Sequence, residues 1–462
     1  MLTGPRAARP LPDAAQSPTL YPRSDEHATK QARTVTGALS VVSSRLGHRA
    51  RTGTIAMIDQ GIVSGASLLT SIIVARACGQ EAFGIFVLGM SIVMLVLELQ
   101  NALISTPYLV NAPALPADEA RRYGGSALLH QLGLAAVVSA GLALGTVVLT
   151  SGDSRLSLVG WALVLGAPFI TLRDFLRRHC FARLRFGSAF LMDLGVGVLQ
   201  VGGLAALGAA AWLSASRSLA TVAAASGLGA VIWLLANRGD FSPRFRAAKV
   251  DVRRHWSLGR WVFASQILWA VGAQLYPWLL AALRSTADVA IWGAAMGIGA
   301  VLNVPLLAGT NVLGPSIARA RTSRDTWSFF RFVLRVSAGF AAVVLCAALP
   351  LLFLGGWLLG RLYGSTYTTY GGVVSLIAAG MVFLAASFGI SRGLFCLNRA
   401  DLDFGVNLAP FAILLLLGPI LVRGWGALGA AFALLAAHAV ATTLRVIALV
   451  YATSRAAEAR SS

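Results

Sequence analysis

Charged side chains are scarce in this chain. Asp, Glu, Lys and Arg together supply 12% of its 462 residues, against about 25% in an ordinary soluble domain. Acids are the scarcer kind: 18 Asp and Glu stand against 38 Lys and Arg, for a formal net charge of +20. Lysine is nearly missing. Only Lys30 and Lys249 occur, and neither precedes Ser or Thr, so a Gly-Lys-Ser/Thr phosphate loop is excluded and any ATP-driven scheme would need another subunit. The four cysteines, Cys78, Cys180, Cys346 and Cys396, form no CxxC and lie far apart. No metal centre, disulfide framework or cofactor is expected from them. HExxH is absent too. What is abundant is apolar: 57% of the residues, with 48 glycines. Such a chain cannot cover a soluble core with polar surface, and it is too apolar for disorder. It is an integral membrane protein.

After Arg51 the sequence predicts twelve apolar spans, near 54–76, 83–109, 124–150, 156–176, 187–211, 218–237, 257–283, 288–312, 329–354, 370–395, 402–422 and 425–451. Each is long enough to cross a bilayer as a helix, which takes about 20 residues. The fourth runs into Arg173 and Asp174, and the eleventh contains Pro410 and Pro419. With the N-terminus inside, 32 of the 38 basic residues fall on the cytoplasmic side. Six remain outside: Arg76, Arg155, Arg217, Arg284, Arg361 and Arg423. That asymmetry fixes the expected orientation, with both termini cytoplasmic in the inner membrane. The basic residues lie between apolar runs and lack the aromatic interleaving of a nucleic-acid groove, so no nucleic acid is expected as a partner.

The expected organisation is a cytoplasmic tail over 1–50, a six-helix bundle over 51–240, a cytoplasmic linker over 241–256 and a second six-helix bundle over 257–455. The tail is polar and proline-rich, and reads as mostly disordered. Val35, Leu39, Val42 and Leu46 recur at helical spacing within it, which suits either a short helix on the membrane surface or a continuation of the tail. The halves carry a faint repeat of 206 residues, pairing Gln60 with Gln266, Gly84 with Ala290 and Phe86 with Trp292. Each half also has an Asn…Pro element near the end of its second span, Asn101…Pro107 and Asn311…Pro315. The fold expected is therefore all-α and polytopic, with about twelve transmembrane helices in two six-helix halves around a central cavity. Repeated halves of this kind belong to transporters. The external connections are short, and their acids, Glu81, Asp153 and Asp288, fall in three different loops. No paired carboxylate site follows from that spacing, and an enzyme is not expected.

Ionisable residues inside spans cost about 2.5–3.5 kcal/mol each at a helix centre, so each needs a reason. Asp59, Glu98, Asn101 and His130 lie at similar depth in the first half and form a candidate coupling cluster for a proton or cation. Asp193, at the start of span five, is read with His130 as an interfacial cap or helix-to-helix hydrogen bond. In the second half Arg335, Arg392 and Arg445 lie near cytoplasmic helix ends, where an arginine can also snorkel to headgroups. His438 lies near the middle of span twelve without such an exit.

The turn Val74-Ala-Arg76-Ala-Cys-Gly79-Gln-Glu81-Ala-Phe83-Gly84-Ile-Phe86 resembles the lipid-linked oligosaccharide flippases and polysaccharide exporters of the multidrug/oligosaccharidyl-lipid/polysaccharide superfamily. Two further stretches are similar: the basic elbow Arg173-Asp-Phe-Leu-Arg177-Arg178 with Ala182-Arg183-Leu-Arg185-Phe186, and Leu258-Gly259-Arg260-Trp261 followed by Gln266. The resemblance implies two bundles forming a V, alternating access, and translocation of a polyprenyl-pyrophosphate-linked glycan or related polysaccharide precursor. It further implies membrane lipid and glycan polymerase or export machinery as partners. An anionic cargo needs cationic side chains, and Arg76, Arg335, Arg392 and His438 are the candidate substrate-binding residues. The alternative within the superfamily is a cation-coupled multidrug extruder, which would use Asp59 and Glu98. A membrane-embedded glycosyltransferase or glycan polymerase is the remote alternative.

Overall fold

The computed structural model describes residues 58–149 and 153–461. The expected tail and its surface helix lie outside the described residues. Among those described there is no strand. The first helices are α1 (Ile58–Cys78), α2 (Gln80–Gln100), α3 (Thr106–Asn111), α4 (Ala117–Leu149), α5 (Ser154–Ala182), α6 (Phe186–Ala209) and α7 (Ala215–Ala236). They are followed by α8 (Phe245–Leu283), α9 (Thr286–Gly299), α10 (Asn303–Ser323), α11 (Thr326–Tyr363), α12 (Gly371–Cys396), α13 (Ala400–Leu416) and α14 (Gly418–Ser461). Ten helical segments among the described residues are long and apolar enough to cross a membrane. The expected seventh span lies on α8, whose Ala270–Leu283 stretch is a shorter apolar helix, and the eleventh starts on the 17-residue α13. The chain is an all-α, multi-pass membrane protein. Leu149 and Phe353, each about four-fifths exposed, belong to the apolar outer surface that such a protein turns to lipid.

Two helix boundaries differ from the expected ones for physical reasons. The linker expected over 241–256 is helical from Phe245 onward, because its charged residues are good helix formers and continue into the apolar run without a break. The eleventh and twelfth spans are separated inside α14, where Gly426 adopts φ 54° and turns the chain. A Cβ there would lie 2.3 Å from Asp288 Oδ1, so the position demands glycine twice over.

In the first half α5 packs on α4, α7 and α2, and α1 lies along α6, with Gly197 against Ala66. In the second, α12 packs on α11, α14 and α10. The 206-residue repeat reappears in the helix boundaries: α2 begins at Gln80 behind Gly79, and α9 begins at Thr286 behind Ser285. Gly79 turns the chain between α1 and α2 alone, at φ 80°, a left-handed value that glycine takes without cost. These two repeat-related helices pack on each other. α2 continues through a π-helical segment, Asn101–Ser105, into α3, whose second residue is Pro107. Proline lacks the N–H and crowds the carbonyl four residues back, which accounts for the widened turn.

Candidate transport site

The end of α5 and the turn after it carry Arg173, Arg177, Arg178, Arg183 and Arg185, and the end of the fold where they lie is called here the arginine-rich end. The opposite end is closed by contacts between α1, α2, α9 and α11. Arg76, at the end of α1, donates from Nε to the Leu362 carbonyl at 2.7 Å and from Nη2 to the Arg361 carbonyl at 2.5 Å. Those carbonyls belong to the last turn of α11, where orphan acceptors and the helix dipole favour a cation. One turn deeper the Ser71 and Tyr363 hydroxyls share a hydrogen bond of 2.7 Å, and the Phe83 ring packs on Tyr363. Gly84 lies against the backbone of Thr286, and Gly297 against the Tyr363 hydroxyl. The closure thus needs small residues at 84 and 297 and a cation at 76.

At the arginine-rich end α1, α5 and α6 bury a chain of charges. Asp59 and Asp193 are both about 1% exposed. Arg177 bridges them: its Nη2 donates to Asp59 Oδ2 at 2.7 Å, and its Nε lies 2.6 Å from Asp193 Oδ2 without pointing its N–H along the contact. Arg173 pairs with the other Asp193 oxygen, and Gln60 Oε1 lies 3.5 Å from Arg177 Nη2. A turn away, Arg178 holds Asp174 at 2.8 Å. Among the described residues Asp59 Oδ1 has no hydrogen-bond partner. Pairing is what makes these ions tolerable, since an isolated buried charge costs far more than a paired one.

The second half has its own buried pair at the start of its fifth span. Arg445 Nε donates to Asp403 Oδ1 at 2.8 Å and its Nη1 donates to Ser387 Oγ at 2.6 Å, while Nη2 reaches Asn407. One guanidinium therefore ties together α12, α13 and α14. Asp193 and Asp403 occupy comparable places, each near the start of a half's fifth span and each neutralised by an arginine.

The expected coupling residues are distributed over three places. Asp59 joins Arg177 and Asp193. Glu98 lies near the end of α2 and has no ion pair among the described residues. His130 is apart from both, its Nε2 donating to the Ala248 carbonyl at 3.0 Å and so fastening α8 to α4. Of the expected substrate ligands, Arg76 is engaged at the closed end. Arg335 on α11 and Arg392 on α12 are exposed, with no ion pair among the described residues. His438 is half-buried, and its Nδ1 donates to the Gly380 carbonyl at 3.1 Å. The structure does not gather these four residues into one cluster.

Sequence reasoning undervalued Arg173 and Arg177, read as the edge of span four and part of a basic elbow, and overlooked the Ser71–Tyr363 contact. The available signal was the match between buried acids in spans one and five and arginines at equal depth in span four. Two of the three loop acids are engaged in local structure. Asp153 caps α5, accepting from the Arg155 and Leu156 amides at 2.8 and 3.1 Å. Asp288 receives the Ser285 hydroxyl at 2.9 Å and the Ala427 amide at 3.3 Å. The string Gly389-Ile-Ser391-Arg-Gly393 has the spacing of a nucleophile elbow but lies inside α12, without the strand-to-helix turn that chemistry needs. No group of three or more His, Cys, Asp or Glu able to hold a metal occurs among the described residues.

The family described as polysaccharide biosynthesis protein matches residues 50–321. No curated protein sequence matches the chain. Among solved structures, the lipid II flippase MurJ in an inward closed conformation aligns with TM-score 0.67 at 12% identity, over 85% of this chain and 86% of that one. An inward-facing multidrug resistance MATE transporter of the MOP superfamily aligns with TM-score 0.68 at 14% identity, over 84% and 94%. A point mutant of the MATE transporter VcmN of Vibrio cholerae gives 0.61 at 16% identity, over 88% and 96%. At these identities the structural alignments show a shared fold alone.

Proposed function

Because the chain belongs to the polysaccharide biosynthesis protein family, we propose that it is a flippase or exporter that carries a lipid-linked oligosaccharide or polysaccharide precursor across the cytoplasmic membrane. The positive-inside distribution sets the arginine-rich end in the cytoplasm, with both termini on that side and the Arg76–Leu362 closure at the outer face. The two six-helix halves flank a central passage and alternate between inner and outer access. In the conformation described, the outer end is shut, so the cargo headgroup enters from the cytoplasmic side.

One observation carries the choice of cargo. The buried acids of the first half, Asp59 and Asp193, are already occupied by Arg173 and Arg177, whereas Arg335 and Arg392 stand exposed without a carboxylate partner among the described residues. A cationic drug would have to displace arginines from their acids. An anionic pyrophosphate meets guanidinium groups with free donors, the geometry suited to phosphate oxygens. Arg76 belongs to the outer closure in this reading, and His438 holds α12 to α14. Glu98 is the observation that favours the second reading, a cation-coupled extruder, since it lies in the membrane-spanning part of α2 without an arginine ion pair among the described residues.

The test replaces Arg335 and Arg392 by Gln together, and separately Asp59 by Asn with Glu98 by Gln, in cells lacking the native copy. Surface glycan should fall by about tenfold or more in the arginine variant at normal insertion levels, the loss of one or two charge-assisted hydrogen bonds. Unchanged surface glycan in that variant, with cationic-drug resistance lost in the acid variant, would select the extruder instead.

A further inference from the structure

A second cationic site lies at the arginine-rich end, outside the network that joins α1 to α6. The last turn of α5, the end of α3 and the first turn of α4 border an open cavity of about 280 Å³ lined by Tyr108, Ala112, Ala182, Arg183 and Arg185 among others. That volume is slightly below the roughly 300–1,000 Å³ of a drug-sized pocket, so it suits a small headgroup better than a sugar chain. Behind it stands a fixed wall. Tyr108 and His179 are fully buried, with the phenol oxygen 2.8 Å from His179 Nδ1 and His179 Nε2 3.5 Å from Asp240 Oδ2. The chain carrying Asp240 is held in turn by the Ser242 amide, which donates to the Arg121 carbonyl at 3.0 Å. Gly125 lies so close to Ser242 and Pro243 that a Cβ would sit 2.5 Å from their backbone.

Two guanidinium groups share the single carboxylate of this wall. Arg185 is bonded to Asp240 at 2.6 and 3.4 Å and has a side chain about 42% exposed. Arg183 reaches the Asp240 carboxylate and carbonyl only at 3.4 Å each. Charge-assisted bonds of this kind close to about 2.7–2.9 Å when satisfied. Arg183 therefore has donors in poor bonds, and the group of two arginines and one aspartate has an excess positive charge facing a small, alanine-walled cavity. Neither arginine is needed to neutralise a fully buried acid, unlike Arg173 and Arg177.

We infer that this cavity binds a phosphate or diphosphate headgroup at the cytoplasmic face, with Arg183 and Arg185 as its ligands and Asp240 as the internal competitor that the anion displaces. Two sources share that chemistry: an anionic phospholipid of the inner leaflet, and the diphosphate of a lipid-linked cargo before it reaches the passage. The orientation is taken from the proposed function, but binding at this site does not depend on which cargo is carried.

The experiment titrates the purified full-length protein in neutral detergent, by calorimetry, with inorganic pyrophosphate, with short-chain phosphatidylglycerol and with short-chain phosphatidylcholine. Binding of pyrophosphate or phosphatidylglycerol, but not of phosphatidylcholine, is expected. Arg183→Gln with Arg185→Gln should weaken it about tenfold or more, the effect of losing charge-assisted hydrogen bonds. Asp240→Asn should strengthen it by removing the competitor. Arg185→Gln alone, at an exposed side chain, gives a weaker loss in a protein certain to retain its core, and Arg217→Gln at the opposite end should change nothing. A stronger response to phosphatidylglycerol assigns the site to the leaflet, and a stronger response to pyrophosphate assigns it to cargo. Absence of binding, or binding equal in wild type, Arg185→Gln and the double variant, overturns the proposal. Since no transport is measured, a failure here leaves the flippase reading standing, and a failure of glycan export leaves this site standing.

Discussion

Gly84 faces Thr286 across the α2–α9 contact so closely that a Cβ at 84 would fall 1.9 Å from the Thr286 carbonyl oxygen. The two residues belong to helices that begin 206 residues apart in the chain, so the internal repeat meets itself at the closed end. Backbone, not a flexible side chain, is what a larger residue would strike.

Gly84→Ala should therefore loosen the closure at a cost of about 1–3 kcal/mol, the range for overpacking a tight contact. The measurement is labelling of a single cysteine at Ser71, in a background without the native cysteines, by an impermeant maleimide added to intact cells. Labelling should rise in Gly84→Ala over the Gly84 parent. Equal labelling would show that α2 and α9 are not the seal.

Arg177 bridges two buried acids on two other helices, and removing one member of such a group typically costs about 3–5 kcal/mol. Arg177→Gln should lower thermal stability in detergent more than Asp59→Asn does. The double variant should be less damaged than the sum of the two, because the neutral amide at position 59 no longer needs a cation. Strict additivity would mean that Asp59 and Arg177 do not interact.

Asp153 separates the transport reading from the enzymatic one. As the cap of α5 it should cost about 1 kcal/mol when changed to Ala, seen as a small drop in melting temperature, with glycan export intact. A complete loss of export with unchanged stability would assign it a chemical role that its two amide contacts do not suggest.

The helical spans and the distribution of arginine were legible in the sequence because both are local: a run of apolar residues, or a charge beside it, needs no partner to be recognised. Of the repeat, the structure shows the matching starts of α2 and α9. The site was legible only in part. Asp59 and Glu98 stand out as acids inside apolar runs, but the partner of Asp59 lies 118 residues away in a stretch that reads as a basic elbow. Asp403 and Arg445 are 42 residues apart on two spans, and nothing local says that they face each other. The chain reversal at Gly426 was hidden by its apolar neighbours, since the signal is a backbone angle and an aspartate from another helix. Arg76 is the converse case: an arginine at a loop edge draws attention as an anion ligand, while its carbonyl partners on α11 carry no sequence signature.

Movement of a lipid-linked glycan between leaflets can be followed by reconstitution. The purified protein is placed in proteoliposomes containing a fluorescent polyprenyl-pyrophosphoryl oligosaccharide, and the fraction accessible to an externally added reducing quencher is followed with time. Wild type should equilibrate the labelled headgroup between leaflets, and Arg335→Gln with Arg392→Gln should do so about tenfold more slowly, the loss of one or two charge-assisted hydrogen bonds. No protein-dependent exchange of the labelled lipid, beside protein-dependent uptake of a cationic dye by the same vesicles, would contradict the account.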